Sequence, residues 1–212
     1  MRRAAAVILF LLAACRTTRP PHGEPIAPLT ATSPSEASQQ LVARRLEFRG
    51  ERSLIRLRLP RISARGQLQV DGAGRMMLTV YTPLGTTGAR LYVDGQDVIF
   101  LDDFRSTAWR GKPSDLAGSL EVFGNTRLAL LLVGLPPDGL ESITYAATGI
   151  QAVSLPDVAV TYDPPVYPPK RLVITRGEQR VEIEHLESYS DPETLEPPDI
   201  PRDYRCCVLP QI

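Results

Sequence analysis

Apolar and polar residues alternate with a period of two through most of the chain, and a helical rhythm interrupts them in only a few places. In "LIRLRLP", Ile55, Leu57 and Leu59 alternate with Arg56 and Arg58. "ISARGQLQVDG" places Ile62, Ala64, Gly66, Leu68 and Val70 on one side. "GRMMLTVYT", "ARLYVDG", "DVIFLDD" and "TAWRGK" follow at close spacing, joined by Gly and Asp turns. Residues i and i+2 of a strand share a face, so the pattern predicts six short strands in an antiparallel meander. Strands resume in "ESITYAATG", "GIQAVSLPDVAVTYDP", "KRLVITRG" and "QRVEIEHLESY", with Gly177 turning the last hairpin. In that hairpin Val181, Ile183 and His185 share one side against Glu182, Glu184 and Leu186.

The helical interruptions are short. Ser33, Pro34 and Glu36 stand at the N-cap, N1 and N3 positions of a capping box, which predicts a helix to about Leu46. "KPSDLAGSLEVFG" predicts a second helix from near Pro113. Asn125 is a candidate cap for a third over 128–133, stopped by "GLPP". The strands before and after these helices are unusual. Met76, Leu78 and Val80 alternate with Met77, Thr79 and Tyr81, and Ile99 and Leu101 with Val98 and Phe100. A sheet with one wet face shows a cleaner polar side. Both faces must therefore be covered, or one must face an apolar cavity. The last segment, 191–212, is proline-rich and is expected to wrap the domain or hang from it.

The N-terminus sets the compartment. Arg2 and Arg3 precede the apolar run "AAAVILFLLAAC", which is shorter than the roughly 20 residues needed to span a bilayer. It has the charge and length of a signal peptide, and "LAAC" at 12–15 resembles a bacterial lipobox. That resemblance implies cleavage before Cys15 and acylation of it, so residues 1–14 are expected to be a lipoprotein signal peptide. Residues 15–34, rich in Pro, Thr, Ser and Ala, read as the lipidated cysteine and a flexible tether. Arg16 follows the cysteine where enteric inner-membrane retention places an aspartate, which favours the outer membrane. About 175 residues remain, enough for one domain at 35–190 and its tail.

Charge and chemistry narrow the function mainly by exclusion. The chain has 24 basic and 24 acidic residues. Losing Arg2 and Arg3 leaves 22 against 24, a formal −2, unlike a nucleic-acid binder. Eight arginines lie between Arg44 and Arg65 against Glu47 and Glu51. They read as a solvated strand face, with attraction to anionic head groups as the alternative. Of two histidines, His22 falls in the tether and His185 in a strand. The pair Asp102-Asp103 reads as a turn, and the dipeptide Cys206-Cys207 as a tail feature without a role. No nucleophile elbow, P-loop, dinucleotide turn or metal-ligand spacing occurs. An enzyme, a metal and a cofactor are therefore not expected.

One turn does not fit its surroundings. In "LTVYTPLGTTGARLYVDG" (78–95), Pro83 and Gly85 are ordinary turn residues, and Leu84 is a large apolar side chain at the tip. The stretch "GRMMLTVYTPLGTTGARLYVDGQDVIFLDD" resembles the core of the LolB family of outer-membrane lipoprotein receptors. That family carries an asparagine-proline-leucine-glycine turn in the same setting, where this chain has Thr82-Pro83-Leu84-Gly85. "LLLVGLPPDGLESITYAATG" resembles the family's helix and following strands, and "PPKRLVITRGEQRVEIEHLES" its closing hairpin. The tail beyond Ser190 has no clear counterpart there.

The resemblance implies a mainly β (α+β) fold: an incomplete, strongly curved antiparallel barrel with short helices as a lid over an apolar cavity. It implies an outer-membrane-anchored receptor, on the periplasmic face, that accepts lipoproteins from a LolA-type carrier. Insertion would proceed by hydrophobic handover of acyl chains, with Leu84 projecting outward to place cargo. Candidate cavity residues are Leu78, Val80, Leu91, Val93, Phe100, Leu128, Leu131 and Leu132, and for any single one of them ordinary core packing is the favoured reading. A monomer is expected. A lipid-binding envelope lipoprotein and a structural subunit of an envelope complex are the alternatives on the same fold.

Overall fold

The computed structural model describes residues 23–60, 62–125, 127–140 and 142–206. The expected signal peptide (1–14), Cys15, His22 and Cys207 lie outside them. Helix α1 (Pro34–Glu47) begins where its capping pattern predicts: Ser33 Oγ accepts the Glu36 N–H at 3.3 Å. The Glu36 carboxylate reaches one residue beyond a standard capping box, accepting from the N–H and hydroxyl of Thr32 at 2.9 and 3.0 Å.

Six strands follow as the period-two pattern predicts: β1 (Gly50–Leu59), β2 (Ile62–Asp71), β3 (Met76–Tyr81), β4 (Thr87–Val93), β5 (Val98–Asp102) and β6 (Thr107–Gly111). The segment expected to be helical from Pro113 is instead two 3₁₀ turns, Pro113–Asp115 and Gly118–Gly124. Gly118 takes a φ of +58°, outside the helical region, and divides the segment. The short helix α2 (Leu128–Leu132) comes next, then β7 (Ile143–Ala146), β8 (Gly149–Ser154), β9 (Ala159–Tyr162), β10 (Arg171–Arg176), β11 (Gln179–Ser190) and β12 (Arg205–Cys206).

All twelve strands form one sheet in the order β12-β6-β5-β4-β3-β2-β1-β11-β10-β9-β8-β7. β1 and β11 join the two meanders, with Leu57 opposite Ile183 and Ile55 opposite His185. Every pair is antiparallel except β12 with β6. Among the described residues the ends of the order, β12 and β7, do not pair with each other, so the sheet they form is not closed into a barrel.

Its concave side is filled. Inward residues of β1–β5 and β8–β11 form one buried cluster with Leu41 of α1, Phe123 of the second 3₁₀ turn and Leu128, Leu131 and Leu132 of α2. The convex side answers the two-faced strands. Tyr92, Ile99, Leu101 and Ala108 form a second cluster there, covered by Leu195 and Tyr204 of the C-terminal segment. The Leu195 N–H donates to Asp71 Oδ2 at 3.1 Å, and β12 adds an edge strand beside β6. Both faces are apolar because both are covered.

The meander separates two rims. One carries the β1–β2, β3–β4, β5–β6, β8–β9 and β10–β11 turns; the other carries the β2–β3, β4–β5, β7–β8 and β9–β10 turns. Residues 23–28 enter at the second rim. Pro25 bridges Tyr189, the Ser190 N–H donates to Glu24 O at 2.9 Å, and the Arg44 guanidinium donates to the Ala27 and Pro28 carbonyls. Among the described residues no helix is long and apolar enough to cross a membrane.

Candidate functional site

The β3–β4 turn is built by its own sequence. The Thr82 N–H donates to Thr86 O at 2.8 Å, the Gly85 N–H donates to Thr82 O at 2.9 Å, and the two threonine hydroxyls meet at 2.8 Å. Gly85 holds a φ of +80°. This is a three-residue hairpin loop with glycine at its left-handed position. Thr82, in the position where the resembling turn has asparagine, closes the loop through its hydroxyl. Pro83 and Gly85 shape the backbone, and Leu84 projects with 92% of its surface exposed.

The interior candidates converge on the concave side. Leu78, Leu91, Val93, Phe100, Leu128, Leu131 and Leu132 are each 5% exposed or less and belong to one cluster, and Val80 packs on it partly buried. The structure brings all eight together, close-packed. α2 is held among them by the Tyr162 hydroxyl, which donates to Leu131 O at 2.7 Å. Burial drives the Tyr162 hydroxyl pKa far above its usual range.

Sequence reasoning passed over a polar cluster on the same inward row. Glu51 is 1% exposed and Ser53 fully buried, beside Ile55 and Leu57 on β1. Glu51 Oε1 accepts from the Ser53 hydroxyl at 2.6 Å, Ser53 meets Ser188 at 2.8 Å, and Ser188 stands 3.5 Å from His185 Nδ1. Glu51 Oε2 and His185 Nε2 are buried with no hydrogen-bond partner among the described residues. Burial pushes the Glu51 carboxyl up to about 7, against the pull of the Ser53 and Ser188 hydrogen bonds. Burial pushes His185 down to about 4, partly opposed by the Leu132 backbone. The Ser188–His185 separation of 3.5 Å is longer than the roughly 2.6–3.2 Å of an engaged serine nucleophile and its base.

This cluster opens onto a groove of about 790 Å³ between residues 25–28, the 163–169 loop and β11, where Ile26, Tyr167, Lys170, His185 and Ser188 line it. Arg44 lies over the Tyr167 ring at 4.9 Å. Burial first, then the Glu51 charge, pushes the Tyr167 hydroxyl up to about 12. A second, polar cavity of about 540 Å³ lies by Gln96, Lys112, Asp157 and Arg176. None of the eight interior candidates lines either one.

The arginine-rich segment is largely paired. Arg56 binds Glu184 at 2.6 Å, Arg58 binds Glu182 at 2.9 Å, Arg52 binds Asp191 at 2.7 Å, and Arg45 pairs with Asp138. It forms a ladder across the outer side of β1 and β11 into the tail.

No family model matches the chain, and no curated protein matches it. Solved structures align with the chain, two of them as follows. An uncharacterized conserved protein from Thermus thermophilus aligns over 80% of this chain and 97% of its own, with 12% identity and a TM-score of 0.43. The LolA superfamily protein NE2245 from Nitrosomonas europaea aligns over 73% of this chain and 94% of its own, with 12% identity and a TM-score of 0.40. Likeness of this degree assigns no activity.

Proposed function

We propose that the protein is a lipid-anchored receptor of the outer membrane, on its periplasmic face. It takes lipoproteins from a LolA-type carrier and releases their acyl chains into the bilayer, without catalysis. The observation that carries this reading is Leu84, an almost fully exposed leucine held by a closed hairpin loop on an open sheet with an apolar concave side. An acyl chain of about 16 carbons left in water costs on the order of 12 kcal/mol at 0.8 per CH₂. A protein surface must therefore cover cargo in transit. In the described conformation side chains of α1, the second 3₁₀ turn and α2 together fill the concave side, so on this reading chain uptake requires these elements to move outward from the sheet. Cys15 serves as the anchor, and no cofactor takes part.

Transfer of a labelled lipoprotein from carrier to this protein, and from it to vesicles, tests the reading. Leu84→Glu should leave cargo uptake unchanged and slow insertion at least tenfold. Loss of about 1.5–3 kcal/mol of side-chain burial corresponds to that range. Uptake failure in the unaltered protein, or correct lipoprotein sorting in depleted cells, sinks the proposal.

The filled interior favours one competing reading, a structural subunit of an envelope complex on the same fold. It predicts stoichiometric co-purification with fixed partners and no acyl-chain uptake.

A further inference from the structure

The β5–β6 turn adjoins the β3–β4 turn on one rim, because Ala89 pairs with Asp102 and the Phe104 N–H donates to Gly88 O at 3.2 Å. Phe104 stands at its tip with 82% of its surface exposed. A scattered exposed apolar residue means little by itself. Here the backbone beneath it is braced from three sides. Asp103 accepts from Arg90 at 2.6 Å and from the Tyr204 hydroxyl at 2.6 Å. Asp102 Oδ1 accepts the Arg105 N–H at 2.9 Å. Ser106 is held at a φ of +51°, costly for a residue with a Cβ, while its carbonyl accepts the Arg205 N–H at 2.9 Å. Tyr204 and Arg205 belong to the C-terminal segment, so the tail that covers the convex face also fixes this tip.

The rest of the rim agrees. Ile62, 47% exposed, opens β2 on the other side of the β3–β4 turn from Phe104, and Arg65, Arg105 and Arg180 lie exposed on the same rim. Among the described residues, none of the seven exposed large apolar side chains falls in the turns of the opposite rim. Separate apolar prongs set among guanidinium groups suit the interfacial layer of an anionic bilayer. The prongs enter the acyl boundary there and the arginines meet phosphates.

We infer that Phe104 is a second bilayer-insertion residue, acting beside Leu84, and that the C-terminal segment exists in part to hold it there. This rests on the reading of Leu84 as a bilayer contact. The test places tryptophan singly at Leu84, Phe104 and the control Leu186 in the full acylated chain. The variants go into phosphatidylglycerol-containing vesicles with brominated acyl chains, and the Trp109 signal is subtracted. Bromolipid should quench Leu84→Trp and Phe104→Trp at least threefold more than Leu186→Trp. Phe104→Asp should slow cargo insertion by about tenfold with cargo uptake and melting temperature unchanged. Quenching at Leu84→Trp alone overturns the inference and leaves the receptor reading standing. Quenching at neither tip overturns both, and equal quenching at all three sites reports adsorption and overturns the inference.

Discussion

Glu51 and His185 lie in one hydrogen-bonded chain and carry opposite shifts. The folded state holds the Glu51 proton up to about pH 7 instead of 4.5. Its contribution to stability is present below pH 4.5 and is lost as pH rises toward 7. His185 resists its proton down to about pH 4 instead of 6.5. Its contribution is present above pH 6.5 and is lost as pH falls toward 4. The two slopes offset each other between about pH 4.5 and 6.5, so the joint contribution of this pair changes little there. Glu51→Gln removes one of them. The variant should gain on wild type by about 3 kcal/mol between pH 4.5 and 7, the equivalent of the raised carboxyl pKa. Urea unfolding across that range reads the gain directly, and parallel stability curves refute the buried-carboxylate account.

At the scale of elements the C-terminal segment matters more than its composition implies. Leu195 is 7% exposed against Tyr92, Ile99, Leu101 and Ala108. Leu195→Ala should cost about 2–3 kcal/mol, as large-to-small changes in a core do. Removing 191–212 should expose the Tyr92–Leu101 patch and drive self-association, visible by light scattering. A truncated chain that stays monomeric with an unchanged melting temperature would falsify this role for the tail. The strands themselves were legible because a period of two survives in "LIRLRLP" and its neighbours. The requirement that both faces be covered was legible too, from Met77, Tyr81, Ile99 and Leu101. The covering segment was not, since a proline-rich chain without a period shows no face. The β-bulge at Leu54/Ile55 was equally hidden. Simple alternation past His185 sends Glu187 inward and Ser188 outward; the register shift, which leaves Leu186 as the extra residue, reverses them. The parity of β1 already placed Glu51 and Ser53 beside Ile55, and only their polarity argued otherwise. At the β3–β4 turn the odd residue was plain in the sequence, while Phe104 was masked by Asp102-Asp103 and Arg105, which look like any polar turn.

For the whole molecule, the proposed anchor at Cys15 would limit how the domain meets a membrane. Residues 23–28 join the sheet at the rim opposite Leu84 and Phe104. Gly23 is eight residues beyond Cys15, and a chain of that length spans at most about 29 Å. β11 is 12 residues long, about 36 Å from end to end at 3.3 Å per residue. If Cys15 is acylated in the bilayer, as proposed, a domain standing upright on that anchor points its hairpin tips away from the same bilayer. Both can engage one bilayer only when the strands incline by about 35° or more from the membrane normal. Deleting residues 17–20 shortens the reach to about 15 Å and forces an inclination of about 65°, which presses the side of the sheet toward the head groups. In that variant bromolipid quenching of Leu84→Trp should fall at least twofold and cargo insertion should slow, with cargo uptake unchanged. Inserting eight Gly and Ser residues at the same point relaxes the constraint, and quenching should match or exceed the natural tether. Identical quenching across all three tether lengths would show that the tips do not enter the bilayer that holds the anchor.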